Sequence, residues 1–294
     1  MKKIKNVKDP ISFQRFGIYG VGLLGGSLGL ALKRLYPKME IVGLGRSEER
    51  LRLAQKSGAV DSYTCNPSAL HPALDALVLC TPVRLVPPIL RSMLGAVNKE
   101  AIVTDVGSTK QILVRECEEA AQGHCHFVGS HPMAGSHKTG VEAARSDLFR
   151  HKICIVTETP QTHPSAVEAV VSLWNALEMR VVRMSPEKHD QLTAYSSHLP
   201  HLTAALLCQT VQAQGEAINP VLGNGFRDTT RIAQGDPSMW VDICLENRQA
   251  ILDSLRSFRH GLDDLYECIE SSDEDRIRDI LTQAQIWMRS RRSS

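Results

Sequence analysis

The sequence predicts an α/β protein, with a Rossmann-type doubly wound parallel sheet followed by an all-helical domain. In the first part of the chain, short apolar runs alternate with helical stretches, a pattern typical of parallel sheets covered by helices on both faces. Beyond residue 184, almost only helical periodicity is found. We therefore expect two domains, one over residues 1–184 and one over residues 185–294.

The elements of the first domain can be predicted in order. Strands are expected at 16–20, 40–44, near Tyr63, and at 76–80, 101–104, 126–128, 153–156 and 180–183. Helices are expected at 24–35 and 47–56, the second with Ser47 as its N-cap and two glutamates in its first turn. Ser185 followed by Pro186 predicts the first helix of the second domain.

Composition and charge exclude several classes of protein. A net charge of +2 gives no electrostatic footprint for nucleic acid. No apolar run approaches the ~20 residues that a membrane span needs, and no apolar stretch follows the basic start as in a signal peptide. Eight cysteines without a C-x-x-C pair indicate a reduced, cytoplasmic protein without structural zinc. A helical domain this small is expected to complete its core in a homodimer.

A glycine-rich turn follows the first predicted strand and opens the first predicted helix. Gly20, Gly22 and Gly25 form the pattern G-x-G-x-x-G, with Leu23 and Leu24 between the last two glycines. In this context, the glycines allow a tight turn, a close approach of pyrophosphate and close packing of helix on strand. The free N–H groups of the helix N-terminus favour phosphate. We therefore expect a dinucleotide cofactor here.

Two further segments are expected to contact that cofactor. The second strand ends in Gly45-Arg46-Ser47, where an NAD enzyme usually has an acidic residue that binds the ribose 2′-hydroxyl. A small residue followed by Arg46 suits a 2′-phosphate, which favours NADP but leaves NAD open. Thr81 and Pro82 follow the fourth strand, where the nicotinamide half should pass, although Pro82 could simply end the strand.

Polar residues cluster in segments where a fold alone would not require them. Residues 105–110 (DVGSTK) and 129–135 (GSHPMAG) each follow a predicted strand directly. Residues 196–201 (SSHLPH) and 228–233 (DTTRIA) lie in the helical part. Strand ends on one edge of a parallel sheet are where ligands collect, so we expect the first two segments to lie near the cofactor.

Seven motifs in order resemble those of the prephenate/arogenate dehydrogenases of tyrosine biosynthesis, over roughly residues 14–270. They are GVGLLGGS (20–27), DVGSTK (105–110), GSHPMAG (129–135), SPEKHD (185–190), SHLPH (197–201), GFRDTTRIA (225–233) and DPSMW (236–240). The resemblance implies a Rossmann-type domain, a helical dimerisation domain and an active site in the cleft between them. It also implies oxidative decarboxylation of prephenate or arogenate to 4-hydroxyphenylpyruvate or tyrosine, with hydride transfer to NAD(P)+.

The resemblance also assigns roles to individual residues. His131 takes the position of the proton acceptor, which suits an imidazole near neutral pH. Ser108 takes the position that orients this histidine and the substrate hydroxyl. Arg231 corresponds to the arginine that holds the ring carboxylate, His201 to a substrate-site histidine and Trp240 to an aromatic pocket wall.

Some positions depart from these expectations or need none of them. Gly235 stands where some family members have serine, so a contact to the substrate could be missing. His198 and His201 have a spacing that a metal pair could use, but no suitable third ligand supports it, and we expect no metal. We expect His189 and His198 to be packing or capping residues. The C-terminus leaves no room for a fused chorismate mutase or ACT domain, so we expect neither.

Two other functions remain open from the sequence. A β-hydroxyacid or 6-phosphogluconate-type dehydrogenase shares this architecture but relies on a catalytic lysine. A non-catalytic NADP-sensing protein would use the same fold to bind a partner. Such a sensor would not need Ser108, His131 and Arg231 together.

Overall fold

The computed structural model describes residues 13–135 and 139–292. Eight strands form one sheet in the order β3-β2-β1-β4-β5-β6-β7-β8. They are β1 (Arg15–Tyr19), β2 (Glu40–Leu44), β3 (Ser62–Thr64), β4 (Leu74–Leu79), β5 (Val97–Asp105), β6 (His126–Pro132), β7 (Ile153–Thr157) and β8 (Arg180–Met184). The predicted Rossmann-type sheet is therefore confirmed, with every strand within a few residues of its expected place.

The sheet is parallel except between β6 and β7. The described part of the connection between these two strands contains only a three-residue 3₁₀ helix, Val141–Ala143. A parallel neighbour usually needs a crossover helix to carry the chain back to the other edge, and the described part of this connection has none. The chain instead returns alongside β6, and a helix follows β7, so β8 is parallel to β7.

Five helices cover the two faces of this sheet. They are α1 (Leu23–Leu35), α2 (Glu48–Lys56), α3 (Val86–Met93), α4 (Gln111–Ala121) and α5 (Pro164–Ala176). Leu28 of α1 and Trp174 of α5 pack in one core with Phe16 of β1. Leu90 of α3 packs in a second core on the opposite face with Leu77 of β4. Because both faces are buried, the central strands are apolar along nearly their whole length.

The crevice between β1 and β4 is the topological switch point of the sheet. From β1 the chain runs outward through β2 and β3, and then returns to the other side of β1 as β4. Ligands of open α/β sheets bind outside the carboxyl ends of strands at such a point. The glycine-rich turn after β1 and Thr81 after β4 both lie there.

The second half of the chain is helical. Its helices are α6 (Pro186–Thr193), α7 (Leu199–Gln212), α8 (Asn224–Thr230), α9 (Pro237–Glu246), α10 (Arg248–Glu270) and α11 (Glu274–Arg292). Its fully buried apolar cluster is small and consists of Ala194, Ile243 and Ile251. None of the described helices is long and apolar enough to cross a membrane.

One turn of π-helix joins α6 to α7, over Ala194–His198. It ends two residues before Pro200, which has no N–H group and whose ring would collide with the carbonyl of residue 196 in a regular α-helix. Widening the helix by one residue relieves that collision, and such π segments are frequent at functional sites. The turn ends at His198, so it sets the direction in which this buried ring points.

Candidate active site

The glycine-rich turn has the geometry of a phosphate site. Gly20 has φ of +91°, and a Cβ there would lie 2.5 Å from the carbonyl oxygen of Cys80. A Cβ on Gly25 would collide with the carbonyl oxygen of Gly20, so α1 can pack on β1 only with glycine at this position. Gly22 caps α1 without a side-chain hydrogen bond, and nothing lies within 4 Å of its Cβ position. Leu23 and Leu24 begin α1, so their amides belong to this helix N-terminus without a side-chain cap, the kind of site that binds phosphate.

The residues expected beside this turn lie close to it. Thr81 packs against Gly20, and its buried hydroxyl has no hydrogen-bond partner in the described part of the chain. An orphaned hydroxyl next to a phosphate turn suits a polar group of a ligand. Pro82 is exposed directly after it. These features of the switch point fit a dinucleotide.

The turn after β2 holds the residues expected at the ribose. Arg46 is exposed. Ser47 is the N-cap of α2, and its Oγ accepts a hydrogen bond from the Arg50 amide at 3.4 Å. A Cβ on Gly45 would have only ordinary contacts, the nearest at 3.7 Å with Leu51. Ser47 thus has a structural role whether or not it also binds the cofactor.

His131 lies inside β6, one residue before its end, rather than after the strand as the sequence suggested. Its ring is buried, and Nδ1 lies 2.8 Å from Nε2 of His189. Nδ1 of His189 lies 2.7 Å from Oδ1 of Asp190. The carboxylate of Asp190 also accepts hydrogen bonds from the backbone amides of Lys110 and Gln111, at 2.8 and 2.9 Å. The expectation that His189 only packs or caps was therefore wrong.

Burial keeps these rings neutral. Desolvation lowers the pKa of His131 well below its usual range, and the neighbouring His189 and Lys110 lower it further. Burial also lowers the pKa of His189 to about 2 and that of His198 to about 4. A neutral imidazole has one N–H donor and one acceptor nitrogen, so each of these rings can both donate and accept a hydrogen bond.

The segment 105–110 owes part of its polarity to a buried ion pair. Nζ of Lys110 lies 2.6 Å from Oδ2 of Asp105, and both side chains are fully buried. Oδ1 of Asp105 accepts a hydrogen bond from the Ser130 amide at 3.0 Å, which ties the end of β5 to β6 beside His131. Ser108 is half-buried in that loop, and although both residues are described, it makes no hydrogen bond to His131.

His201 and Trp240 form the second part of the site. Their rings are stacked, with centroids 3.5 Å apart, and His198 meets the edge of Trp240 at 6.0 Å. A Cβ on Gly235 would collide with Nε1 of Trp240 and lie 2.9 Å from Cε1 of His201. Nδ1 of His198 lies 3.2 Å from Nδ2 of Asn247, while its buried Nε2 has no partner among the described residues.

The two parts of the site are joined through Asn247. Its Nδ2 donates a hydrogen bond to the backbone oxygen of Asp190 at 2.8 Å and also contacts His198. No role was predicted from the sequence for Asp190 or Asn247, and only packing or capping was predicted for His189. The SPEKHD motif contained His189 and Asp190, but its spacing gave no sign that they meet His131, 58 residues earlier.

Arg231 and His131 are both described, and no hydrogen bond joins them. Arg231 begins the 3₁₀ helix Arg231–Gln234, its side chain is exposed, and it lines an open cavity with Phe226, Arg227 and Asp228. The next residue, Ile232, forms a backbone hydrogen bond with His201 that opposes the lowering of the His201 pKa by burial. Arg231 therefore lies beside the His201–Trp240 pair, and its contact with the substrate remains a prediction.

Comparison with known proteins assigns most of the chain to one family. Residues 28–183 match the family described as the nucleotide-binding domain of prephenate dehydrogenase, and residues 185–283 match its dimerization domain. Prephenate dehydrogenase of Bacillus subtilis is 36% identical over 88% of this chain and 71% of its own length. Cyclohexadienyl dehydrogenase of Zymomonas mobilis is 31% identical over 93% of this chain and 94% of its own.

A solved structure extends the similarity to the fold. Prephenate dehydrogenase from A. aeolicus, in complex with hydroxyphenyl propionate and NAD+, superposes with a TM-score of 0.88 at 33% identity. The match covers 95% of this chain and 98% of that one. These similarities do not support a β-hydroxyacid dehydrogenase or a non-catalytic sensor. Lys110 is also not available as the catalytic lysine of a β-hydroxyacid dehydrogenase, because its side chain is buried in an ion pair with Asp105.

Proposed function

Because this chain belongs to the prephenate dehydrogenase family, we propose that it oxidises and decarboxylates prephenate or arogenate, with a nicotinamide dinucleotide as hydride acceptor. The observation that carries this proposal is the position of His131. It is a buried, neutral imidazole near the carboxyl end of β6, on the sheet edge where the glycine-rich turn opens. A neutral imidazole at this edge is suited to accept a proton from a substrate hydroxyl.

The chemistry requires a proton acceptor and a place for two carboxylates. His131 accepts the proton of the substrate hydroxyl as hydride leaves the ring carbon that bears this hydroxyl. The bond between the ring and its carboxylate then breaks, CO2 departs, and the electron pair of that bond makes the ring aromatic. The proton then returns to the phenolate oxygen, so none is released overall. Bound cofactor supplies the hydride acceptor, and the turn at Gly20–Gly25 would hold its pyrophosphate.

The remaining predicted residues have roles within this scheme. Ser108 would orient the substrate hydroxyl, for which the loop after β5 must bring it closer to His131 when substrate is bound. Arg231 would pair with the ring carboxylate through its planar guanidinium. His201 and Trp240 would form the wall against which the substrate lies, since their stacked rings form a rigid surface.

We also propose that NADP is the preferred cofactor. The supporting observation is the exposed Arg46 beside Gly45, with no acidic residue at the end of β2. Gly45→Asp is the matched test, because the Cβ position there is free of collisions. We expect this variant to bind NAD more tightly than NADP, because its carboxylate would repel the 2′-phosphate. An unchanged preference, measured as kcat/KM for each cofactor, would contradict the assignment.

The assembly and location that we propose follow from the surface and the cysteines. Several large apolar side chains on α10 and α11 are exposed, and the matched family domain is described as a dimerization domain, which supports a homodimer. All eight cysteines are free, which supports a reducing cytoplasmic location.

The function itself is tested by an assay of both substrates with both cofactors. We expect reduction of the nicotinamide, followed by absorbance, with release of CO2 from at least one substrate. His131→Asn should retain cofactor binding, measured by fluorescence titration, while turnover falls by roughly 10²–10⁴. No reduction with either substrate would overturn the proposed reaction, and full turnover by His131→Asn would remove His131 from it.

A further inference from the structure

His131, His189 and Asp190 form a chain of hydrogen bonds, and the charge state of Asp190 determines which nitrogen donates in each of them. Both oxygens of this carboxylate accept backbone N–H groups at the start of α4, from Lys110 and Gln111. The N-terminus of a helix stabilises a negative charge, so these contacts favour the ionised carboxylate against the burial that raises its pKa. An ionised carboxylate only accepts hydrogen bonds. Nδ1 of His189, 2.7 Å away, must therefore carry the hydrogen.

The direction then passes from ring to ring. His189 is fully buried and neutral, so once Nδ1 carries its single hydrogen, Nε2 has only a lone pair. That Nε2 lies 2.8 Å from Nδ1 of His131, which must donate. The single hydrogen of neutral His131 is thereby placed on Nδ1, and its Nε2 is left as an acceptor.

We propose that His189 and Asp190 are positioning residues that hold His131 in the Nδ1–H tautomer, with Nε2 free to accept the substrate's hydroxyl proton. This inference rests on the proposed function for its consequence, but the tautomer itself does not depend on any substrate. In the opposite tautomer, Nε2 would carry a hydrogen and could not act as the base.

The same contacts link the base to the packing of the two halves of the chain. His131 belongs to the sheet, whereas His189 and Asp190 belong to α6, the first helix after β8. Asp190 caps α4 across that boundary, where the N-cap residue Lys110 makes no side-chain cap of its own. Nε2 of His131 is therefore held as a hydrogen-bond acceptor only when α6 is packed against α4.

The tautomer is read directly by nuclear magnetic resonance. Long-range ¹H–¹⁵N correlation spectra of the ligand-free enzyme, labelled with [¹⁵N]histidine, distinguish protonated from unprotonated ring nitrogens. The His131 signals are identified by their loss in His131→Asn. We expect a protonated Nδ1 and an unprotonated Nε2 in the wild type. A protonated Nε2 would overturn the proposal, whichever substrates the enzyme oxidises.

Asp190→Asn tests the same point through activity. Both oxygens of Asp190 face α4 amides, and Oδ1 also faces Nδ1 of His189, so asparagine must turn its NH2 group towards one of these N–H donors. A neutral amide therefore no longer requires the hydrogen on Nδ1 of His189, and the tautomers of the two rings are no longer fixed. We expect kcat to fall by about 10²–10⁴, because the equivalent change in a serine protease costs about 10⁴ by placing its histidine in the wrong tautomer. The KM for the cofactor should stay unchanged, and the His131 spectrum should no longer show Nδ1 as the only protonated ring nitrogen.

Two further variants separate positioning from stability. Thr193→Val is the matched control, because it removes a buried hydroxyl from α6 whose partners among the described residues are the His189 and Asp190 backbone oxygens. It should retain kcat and the wild-type His131 tautomer. His189→Gln offers an amide oxygen near the position of Nε2 and should retain more activity than His189→Leu. A folded Asp190→Asn enzyme with wild-type kcat would overturn the proposal, and if that variant does not fold, the wild-type spectrum still decides it.

Discussion

At the scale of single residues, Gly235 is required by the space around it rather than by its backbone. Its φ and ψ of −61° and 152° suit any residue. A side chain there would nevertheless collide with Trp240 and crowd His201, whose rings are stacked face to face. A serine at this position would therefore need a different arrangement of the two rings. Glycine allows the close stacking seen in this chain.

Gly235→Ser should consequently weaken both stability and substrate binding. Overpacking a fitted site costs typically about 1–3 kcal/mol, and displacement of Trp240 should raise the KM for the substrate more than it lowers kcat. Gly223→Ser is the control, because nothing lies within 4 Å of its Cβ position and its backbone is extended. Thermal unfolding and steady-state kinetics measure both effects. Equal behaviour of the two variants would show that the stacked pair is not part of the pocket.

The buried histidines also determine how activity depends on pH. Because burial lowers the folded-state pKa of His131 below 6.5, its ring stays neutral, and able to accept a proton, at pH values where an exposed histidine is already charged. We therefore expect kcat/KM to stay level from pH 8 down to 6.5 and to fall only at more acidic pH. The measurement is kcat/KM at saturating cofactor across this range, with enzyme stability checked at each pH. A decline centred at or above pH 6.5 would contradict a buried, neutral base.

At the scale of elements, the periodicity of the sequence predicted the positions of helices and strands better than it predicted contacts between side chains. The strands and first helices were found close to their expected places because apolar repeats and caps such as Ser47 are local signals. The antiparallel pairing of β7 with β6 was not predicted, because the apolar pattern of a strand does not depend on the direction of the strand. The contact of His131 with His189 had no signal either, because it joins side chains 58 residues apart without any repeat.

The N-cap of α6 matters beyond its own helix. Oγ of Ser185 accepts a hydrogen bond from the Lys188 amide at 3.3 Å, and the helix that begins there carries His189 and Asp190. Ser185→Ala should lower stability by about 1 kcal/mol, or Tm by about 2–4 °C. Ser185→Asp should retain stability, because aspartate caps equally well. Calorimetry compares the three proteins, and an alanine variant as stable as the wild type would show that this cap contributes little.

At the scale of the whole molecule, the two halves of the chain differ in how much they bury. The sheet has a large core on each face, while the helical half has one small cluster. Phe258, Leu262, Tyr266 and Ile269 are exposed on α10 at spacings of three and four, which places them along one face of that helix. A contiguous apolar face of this kind marks an interaction surface.

A charged side chain introduced on this face of α10 should therefore weaken the dimer. We expect the wild type to have twice the mass of the 32.5 kDa chain in sedimentation equilibrium at micromolar concentration. Leu262→Arg should shift the mass towards one chain, because an unpaired guanidinium cannot be buried in an apolar interface without a large desolvation cost. Leu53→Arg is the matched control, since Leu53 is a partly exposed leucine on α2, in the nucleotide-binding half. That variant should remain a dimer. If Leu262→Arg also remains a dimer, the interface does not include this face of α10.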